Sequence, residues 1–345
     1  MIKYILPFLV SFALSIFFIL ILMPAAKRIN WKGRDDERHL SGKNILRIGG
    51  IAMILSFNLA IIFNRDLFIS PQLYGMMAAS LILLAVGLWD DIREIFWKTQ
   101  FFFQIAAAVL VFIMGVRIYF ITNPLNGGIL DLGSGAGEVL AAFLVIFWIL
   151  LIINAMNWLD GVDGLSGGIT FIGAVTIFFL SLKPEVNQPP VAIISAIVAG
   201  ATGAFLLFNF YPSMILAGTS GSMFMGFSLA VMAIFAGTKI ATSLLVLVIP
   251  LIDFVWVIGE RIKNRKSIFK PDRNHLHYKL LELGWSQRKI NFYYYGVTIL
   301  ISAVALNTRA AGKAVALFLA AAVAVAAFLI INKKTKQYKK TWQEK

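Results

Sequence analysis

Long runs of apolar residues alternate with short polar segments along the whole chain. A membrane-spanning helix needs about 20 predominantly apolar residues, and eleven runs approach or reach this length. The pattern therefore predicts an all-α, polytopic integral membrane protein with about 10–11 transmembrane helices. We expect residues 1–332 to form one multi-helix transmembrane domain and 333–345 a basic tail. The eleven predicted spans are 3–26, 45–64, 72–89, 101–121, 138–156, 168–182, 191–208, 222–236, 240–259, 291–307 and 313–332.

Composition supports this interpretation. The 345 residues are 59% hydrophobic and 14% charged, with a mean hydropathy of +0.83. An average soluble domain carries about 25% charged residues, so a soluble globular protein is excluded. The chain has no Cys, which excludes a disulfide scaffold. The first apolar run is longer than the core of a signal peptide, and a basic stretch follows it, so we expect a retained helix.

Lys and Arg are concentrated in alternate connections. Of 31 basic residues, 24 lie in 27–47, 90–100, 154–167, 209–221, 259–290 and 333–345. The positive-inside rule places these connections in the cytoplasm, with the N-terminus outside and the C-terminus inside. Most of the net charge of +14 is then topological. We expect the basic tail to contact anionic membrane lipids, and no motif indicates nucleic-acid binding.

Acidic residues collect on the same side. Thirteen of the 17 Asp and Glu residues lie in or near the predicted cytoplasmic connections. A carboxylate at a membrane boundary is costly unless it has a function, whereas a transporter would place polar groups near the bilayer midplane. The distribution predicts a site at the cytoplasmic face.

Two segments carry the carboxylates of this predicted site. Adjacent carboxylates at 90–91 end a predicted span and require a cation, either Arg93 or a divalent ion. The run 154–168 contains Asn, Asn, Asp and Asp at three-residue spacing, followed by glycines. Such hard oxygen ligands suit Mg²⁺, while the alternative is a capped helix followed by a glycine turn.

Two further segments suggest phosphate recognition. The turn 218–222, Gly-Thr-Ser-Gly-Ser, offers backbone N–H groups at a helix start, although such a turn is equally consistent with the start of a membrane helix. The loop 259–290 carries basic residues together with His275 and His277. These side chains could bind a phosphorylated, hydroxyl-rich molecule, or the basic residues could simply be a solvated group of charges beside the membrane. Asp253 either belongs to this site or pairs with Arg261.

In their order, these motifs resemble those of bacterial polyprenyl-phosphate N-acetylhexosamine-1-phosphate transferases. The resemblance runs from about Arg34 to Leu281 and includes Arg47-Ile-Gly-Gly50. The His-containing loop resembles the undecaprenyl-phosphate GlcNAc-1-phosphate branch more than the phospho-N-acetylmuramoyl-pentapeptide branch, where three consecutive His are usual. The last two predicted spans and the tail carry no motif of the family.

The resemblance implies a function and a location. A HexNAc-1-phosphate, most often GlcNAc-1-phosphate, would pass from a UDP-N-acetylhexosamine to undecaprenyl phosphate, releasing UMP and starting a cell-envelope glycan such as lipopolysaccharide or teichoic acid. It implies Mg²⁺, or alternatively Mn²⁺, an inner-membrane enzyme with a cytoplasmic active site, and a homodimer. Direct attack by the acceptor phosphate is favoured over an aspartyl-phosphate intermediate, because a phosphate monoester is largely dianionic at neutral pH.

The resemblance also assigns residues. The catalytic positions are Asp90, Asp91, Asp160, Asp163 and His275. The nucleotide-sugar positions are Asn154, Asp160, Asn209, Arg273, His275 and His277. The metal positions are Asn157, Asp163, Asp90, Asp91 and Thr219.

Two departures from the family pattern matter. Thr219 stands where the family usually has a magnesium-binding Asp, and Tyr278 where a further His is common. A neutral hydroxyl is a far weaker ligand than a carboxylate. A catalytically impaired member that still binds its substrates is therefore an alternative to the active enzyme, and a membrane transporter is a more distant one.

Overall fold

The computed structural model describes residues 1–28, 45–122, 128–235, 240–267 and 273–343. These residues form thirteen helices and one two-stranded antiparallel hairpin. The elements are α1 (Ile2–Arg28), α2 (Gly49–Ile62), α3 (Pro71–Ile92), α4 (Trp97–Ile113), β1 (Phe120–Thr122), β2 (Ile129–Asp131), α5 (Ala136–Leu159), α6 (Leu165–Ser181), α7 (Pro189–Asn209), α8 (Gly218–Phe235), α9 (Ile240–Val246), α10 (Val248–Lys263), α11 (Leu276–Glu282), α12 (Gln287–Asn307) and α13 (Ala310–Gln343). The predicted all-α class is confirmed.

Each predicted span corresponds to one helix or to one pair of helices. Seven of the described helices are long and apolar enough to cross a membrane, and the pair α9–α10 makes an eighth if it is one span. Three further predicted spans are shorter apolar helices, namely α2, α4 and α6.

Helix α8 forms the centre of the bundle. In its apolar window, 94% of the residues are buried, against 78% in α7 and 6% in α13. Helices α3, α5, α2 and α6 pack around α8, and α1 packs against α7 and α2. Because α8 is enclosed by protein on all sides, its first turn is presented to neighbouring helices rather than to lipid.

The predicted span 240–259 is broken. Helices α9 and α10 meet at an angle of 75°. Pro250 lies in the first turn of α10, and proline has no N–H and clashes with the carbonyl four residues earlier, at Val246. The break therefore falls where α9 ends.

Two other boundaries differ from the sequence prediction. Helix α4 ends at Ile113, and the chain passes through Gly115, whose φ is +96°, into the unpredicted hairpin β1–β2. Helix α13 continues through most of the predicted tail. Residues 29–44, 123–127, 236–239 and 268–272, most of which belong to predicted connections, lie outside the described residues.

A cavity of about 1060 Å³ lies between α10 and α13. Apolar side chains line one end, and Glu260, Lys263 and Lys333 lie at the other. None of the aspartates discussed below lines it.

Candidate active site

The C-terminal end of α3 meets the N-terminal end of α8, and this contact forms the first half of the site. Asp90 and Asp91 are buried there, with 6% and 2% of their surface exposed. The Thr219 N–H lies 3.1 Å from both Asp91 oxygens, and the Thr219 hydroxyl donates to Asp90 Oδ2 at 2.7 Å. The positive end of the α8 dipole thus faces two carboxylates, which stabilises them.

Gly218 permits this close approach. Its φ is +69°, in the left-handed region that favours glycine. A Cβ atom at this position would collide with the Asp91 carboxylate. Any side chain there would push the first turn of α8 away from α3.

Arg47 supplies the cation for this pair of carboxylates. Its Nη1 lies 3.1 Å from Asp91 Oδ1, and both side chains are buried. The segment that carries Arg47 is fixed by backbone hydrogen bonds to the segment before α8, including Gly49 N to Leu216 O at 3.0 Å. The prediction that Arg93 fills this role is wrong, because Arg93 is exposed at the end of α3 while Arg47 reaches inward.

The turn between α5 and α6 forms the second half. Asp160 ends α5 and accepts a hydrogen bond of 2.5 Å from the Ser166 hydroxyl. Asp163 Oδ2 accepts from Ser213 N at 3.1 Å. Asn209, at the end of α7, accepts from Gly164 N at 2.9 Å. Three of the predicted site residues therefore meet in this one turn.

Burial dominates the charge state of Asp160. Desolvation raises the pKa of its carboxyl to about 7, opposed by the hydrogen bond from Ser166 and by the charge of Arg47. The charges of Asp163 and Asp91 raise the pKa further. The two halves of the site are thus close enough to interact electrostatically.

The two histidines lie beside this turn and are buried. His275 Nδ1 lies 3.0 Å from Asp253 Oδ2, and its ring is in edge contact with Trp158, with 5.2 Å between the ring centroids. The prediction that Asp253 pairs with Arg261 is wrong. Arg261 instead lies over the Trp158 ring, 4.8 Å from its centroid.

His277 is fully buried against the same turn. Its ring centroid lies 4.2 Å from that of Tyr278, and a Cβ atom at Gly161 would meet both side chains. Desolvation lowers the pKa of His277 to about 3, with the charge of Asp253 opposing and that of His275 adding to the shift. The ring is therefore neutral at pH 7.

Three other predicted site residues have different surroundings. Asn154 donates to Gln104 of α4 at 2.8 Å, one turn deeper in the bundle. Asn157 donates to the Ser222 hydroxyl of α8 at 3.0 Å. Arg273 is exposed at the edge of the described segment 273–343. Asn157 thus borders the first turn of α8, because Ser222 in turn donates to Thr219 O at 3.2 Å.

Sequence reasoning missed one element of the site. Gln287, Asn291 and Tyr295 of α12 all contact the α5–α6 turn. Their spacing of four residues, which places polar groups on one face of an otherwise apolar helix, was the available signal.

The oxygen-rich donor set bears on metal binding. Among the residues that the structure describes, no three His, Asp or Glu side chains form a group able to hold a metal ion by themselves. Mg²⁺, however, usually takes one or two protein carboxylates and completes its shell with water and substrate phosphate. The buried carboxylates of Asp90, Asp91 and Asp163 and the neighbouring Asp160 fit such an ion, with a substrate supplying the remaining ligands.

Comparisons with known proteins agree with this arrangement. The model of glycosyl transferase family 4 matches residues 73–237. A decaprenyl-phosphate N-acetylglucosaminephosphotransferase of Mycobacterium leprae is 31% identical over 296 residues, covering 77% of this chain and 73% of that protein.

Two other relatives cover most of the chain. A probable undecaprenyl-phosphate N-acetylglucosaminyl 1-phosphate transferase of Bacillus subtilis is 29% identical over 311 residues, covering 87% of this chain and 85% of that protein. A phospho-N-acetylmuramoyl-pentapeptide-transferase of Sulfurimonas denitrificans is 26% identical over 344 residues, covering 87% and 93%.

Proposed function

The chain belongs to glycosyl transferase family 4, and from this premise we propose that it transfers GlcNAc-1-phosphate from UDP-GlcNAc to undecaprenyl phosphate, with release of UMP. The relatives named above include polyprenyl-phosphate GlcNAc-1-phosphate transferases, so the chain is a polyprenyl-phosphate sugar-phosphate transferase with several membrane-spanning helices. Family membership does not specify the uridine nucleotide donor or the undecaprenyl acceptor, and these two substrates are the content of the proposal.

The observation that carries the proposal is the convergence of four aspartates at one end of the helix bundle. Asp90 and Asp91 lie against the first turn of α8, and Asp160 and Asp163 lie on the adjacent turn. A lipid phosphate can reach such a site along the apolar helices, and a water-soluble nucleotide from the adjoining loops. The positive-inside rule supports a cytoplasmic location of this end at the bacterial inner membrane.

Mg²⁺ would be held by Asp90, Asp163 and the amide oxygen of Asn157, together with substrate phosphate. A bound divalent ion neutralises diphosphate and the departing nucleotide. The Thr219 hydroxyl donates to Asp90, so it acts on the metal site through that carboxylate rather than as an anionic ligand.

The reaction needs little proton transfer. A phosphate monoester is largely dianionic at neutral pH because its second pKa is near 6. An acceptor oxygen attacks the sugar-linked phosphorus, the bond from that phosphorus to the UMP oxygen breaks, and UMP leaves with the bonding electrons. Asp90 and Asp91 orient the acceptor and take any residual proton, while Arg47 holds Asp91 in place.

The histidine cluster contributes to donor recognition in this proposal. Asp253 fixes the orientation of His275, and Trp158 packs against the same ring. His277 is neutral at pH 7 and fully buried against His275 and Tyr278, so in this proposal it positions those two side chains for the sugar. Arg273 and Asn209 complete the nucleotide-sugar contacts, and Asn154, on α5, is held by Gln104 of α4.

The test is UMP release by purified protein in lipid nanodiscs, with undecaprenyl phosphate, a panel of UDP-sugars and Mg²⁺ or EDTA. We expect lipid- and Mg²⁺-dependent UMP from UDP-GlcNAc. Asp163→Asn should abolish release, while the matched variant Asp131→Asn should retain it, because Asp131 is an exposed hairpin residue.

A catalytically impaired member is the second candidate, and Thr219 is the observation that favours it. Binding of UDP-GlcNAc without UMP release from any donor would select this alternative. Movement of substrate across a sealed bilayer without UMP would instead indicate a transporter.

A further inference from the structure

One face of α12 contacts the turn that carries Asp160 and Asp163. Gln287, Asn291 and Tyr295 recur at intervals of four residues and therefore lie along one side of the helix. The family match ends at residue 237, so α12 lies outside it. The contacts between α12 and this turn thus come from a part of the chain that carries none of the motifs.

The contacts hold the backbone on both sides of Asp163. Asp163 N donates to Gln287 Oε1 at 3.2 Å, and Asn291 Nδ2 donates to Asp163 O at 2.6 Å. A third hydrogen bond runs from the Tyr295 hydroxyl to Gly164 O at 2.5 Å. With both of its peptide groups fixed, the direction of the Asp163 Cα–Cβ bond is fixed as well.

The sequence of the turn is adapted to this contact. Gly164 has a φ of +83°, which favours glycine. A Cβ atom at Gly168 would collide with the Tyr295 ring. The turn therefore lacks side chains at the two positions where α12 approaches it.

Neighbouring polar residues of α12 do not share this role. The hydroxyls of Tyr294 and Thr298 are buried and have no hydrogen-bond partner among the described residues. Tyr294 and Tyr295 are adjacent in sequence, and only the second donates to the α5–α6 turn. The helix thus provides its own matched controls.

We propose that α12 is a positioning helix, whose Gln287, Asn291 and Tyr295 hold the backbone around Asp163 and so fix its carboxylate for metal and substrate binding. The role in turnover rests on the proposed transferase function. The restraint of the backbone by α12 does not rest on that function, because it concerns only the backbone of residues 160–168.

The experiment compares Tyr295→Phe with Tyr294→Phe, and Asn291→Leu with Thr298→Val. The first measurement is hydrogen–deuterium exchange in a peptide covering 160–168, in metal-free protein in nanodiscs. We expect Tyr295→Phe and Asn291→Leu to increase exchange there by about tenfold, since they remove hydrogen bonds of the turn. The two controls should leave exchange within about twofold of the parent chain.

The second measurement is UMP release against Mg²⁺ concentration. We expect Tyr295→Phe to raise the Mg²⁺ concentration for half-maximal rate and to lower kcat about tenfold, equivalent to about 1.4 kcal/mol. Tyr294→Phe should change neither. A partly unfolded sample would lower kcat without moving the Mg²⁺ midpoint, so the midpoint separates positioning from simple loss of protein.

The outcomes distinguish the two proposals. Equal exchange in Tyr295→Phe and Tyr294→Phe overturns the positioning role, whether or not the chain turns over. Increased exchange with an unchanged Mg²⁺ midpoint and kcat overturns the link to Asp163. Absence of UMP release from the parent chain refutes the transferase function, and the exchange data then decide the positioning role alone.

Discussion

Replacing Thr219 with Asp perturbs the site at its most informative position. The Thr219 hydroxyl, in the first turn of α8, donates to Asp90 Oδ2 at 2.7 Å next to Asp91. A carboxylate here cannot donate, and it adds a third negative charge to two buried ones. The substitution should therefore destabilise the metal-free protein.

The magnitude follows from the geometry. Two like charges about 4 Å apart repel by about 4 kcal/mol at an effective dielectric constant of about 20. Loss of the hydrogen bond adds about 1 kcal/mol. A bound cation at about 100 times its Kd returns about 2.7 kcal/mol. Mg²⁺ should thus recover roughly half of the stability that Thr219→Asp loses.

The assay is thermal unfolding in nanodiscs with Mg²⁺ or with EDTA, for the parent chain, Thr219→Asp and Thr219→Val. We expect Thr219→Asp to have the lowest midpoint in EDTA and the largest increase with Mg²⁺. Thr219→Val removes the donor without adding charge, so its response to Mg²⁺ should match that of the parent chain. UMP release by Thr219→Asp should reach half its maximum at a lower Mg²⁺ concentration.

One result would refute the reasoning directly. If Thr219→Asp unfolds at the parent midpoint in EDTA and gains nothing from Mg²⁺, position 219 does not border a metal site. The ion would then have to be held by the α5–α6 turn alone.

Three further predictions follow from the same geometry. Burial raises the pKa of Asp160 to about 7, so the folded state binds more protons than the unfolded state between about pH 4 and 7, and stability falls as pH rises through this window. Asp160→Asn should therefore unfold at a higher temperature than the parent chain at pH 8 in EDTA. The difference between the two unfolding temperatures should disappear toward pH 4. Asp253→Asn leaves His275 without its carboxylate partner and should lower kcat/KM for the UDP-sugar about tenfold or more in steady-state kinetics, with little change in KM for the lipid. Gly87→Ala would drive a Cβ atom into the backbone of the first turn of α8 and should prevent folding, which size-exclusion chromatography would show as loss of the folded peak. In Gly259→Ala the new Cβ atom meets nothing within 4 Å, so this variant should elute like the parent chain.

The helices were the most predictable feature, because the length of an apolar run is a local property. All eleven runs correspond to helices, although only seven of those described reach span length. The break between α9 and α10 was also encoded locally, by Pro250. Hydropathy alone predicts one span over 240–259, because it averages across a bend.

The site was predictable where residues shared a motif. Asp90 and Asp91 are adjacent, and Asp160 and Asp163 lie in one run with Asn157, so each pair can be picked out from the sequence. Partners that depend on packing were not predictable in the same way. Arg47 lies 44 residues from Asp91, and Asn291 lies 128 residues from Asp163. The residues around Arg47 and Asn291 in the sequence do not indicate these contacts.

The weak attachment of α13 makes one edge of the protein responsive to the bilayer. Its apolar span, Ala311–Thr335, has 25 residues and extends about 38 Å, which exceeds the hydrocarbon thickness of about 30 Å, and only 6% of its apolar window is buried. Hydrophobic mismatch is relieved by helix tilt, so lipid acyl-chain length should set the angle of α13 and the width of the cavity it shares with α10. The aspartates are enclosed by α3, α5 and the buried α8, so their positions should not change with the angle of α13.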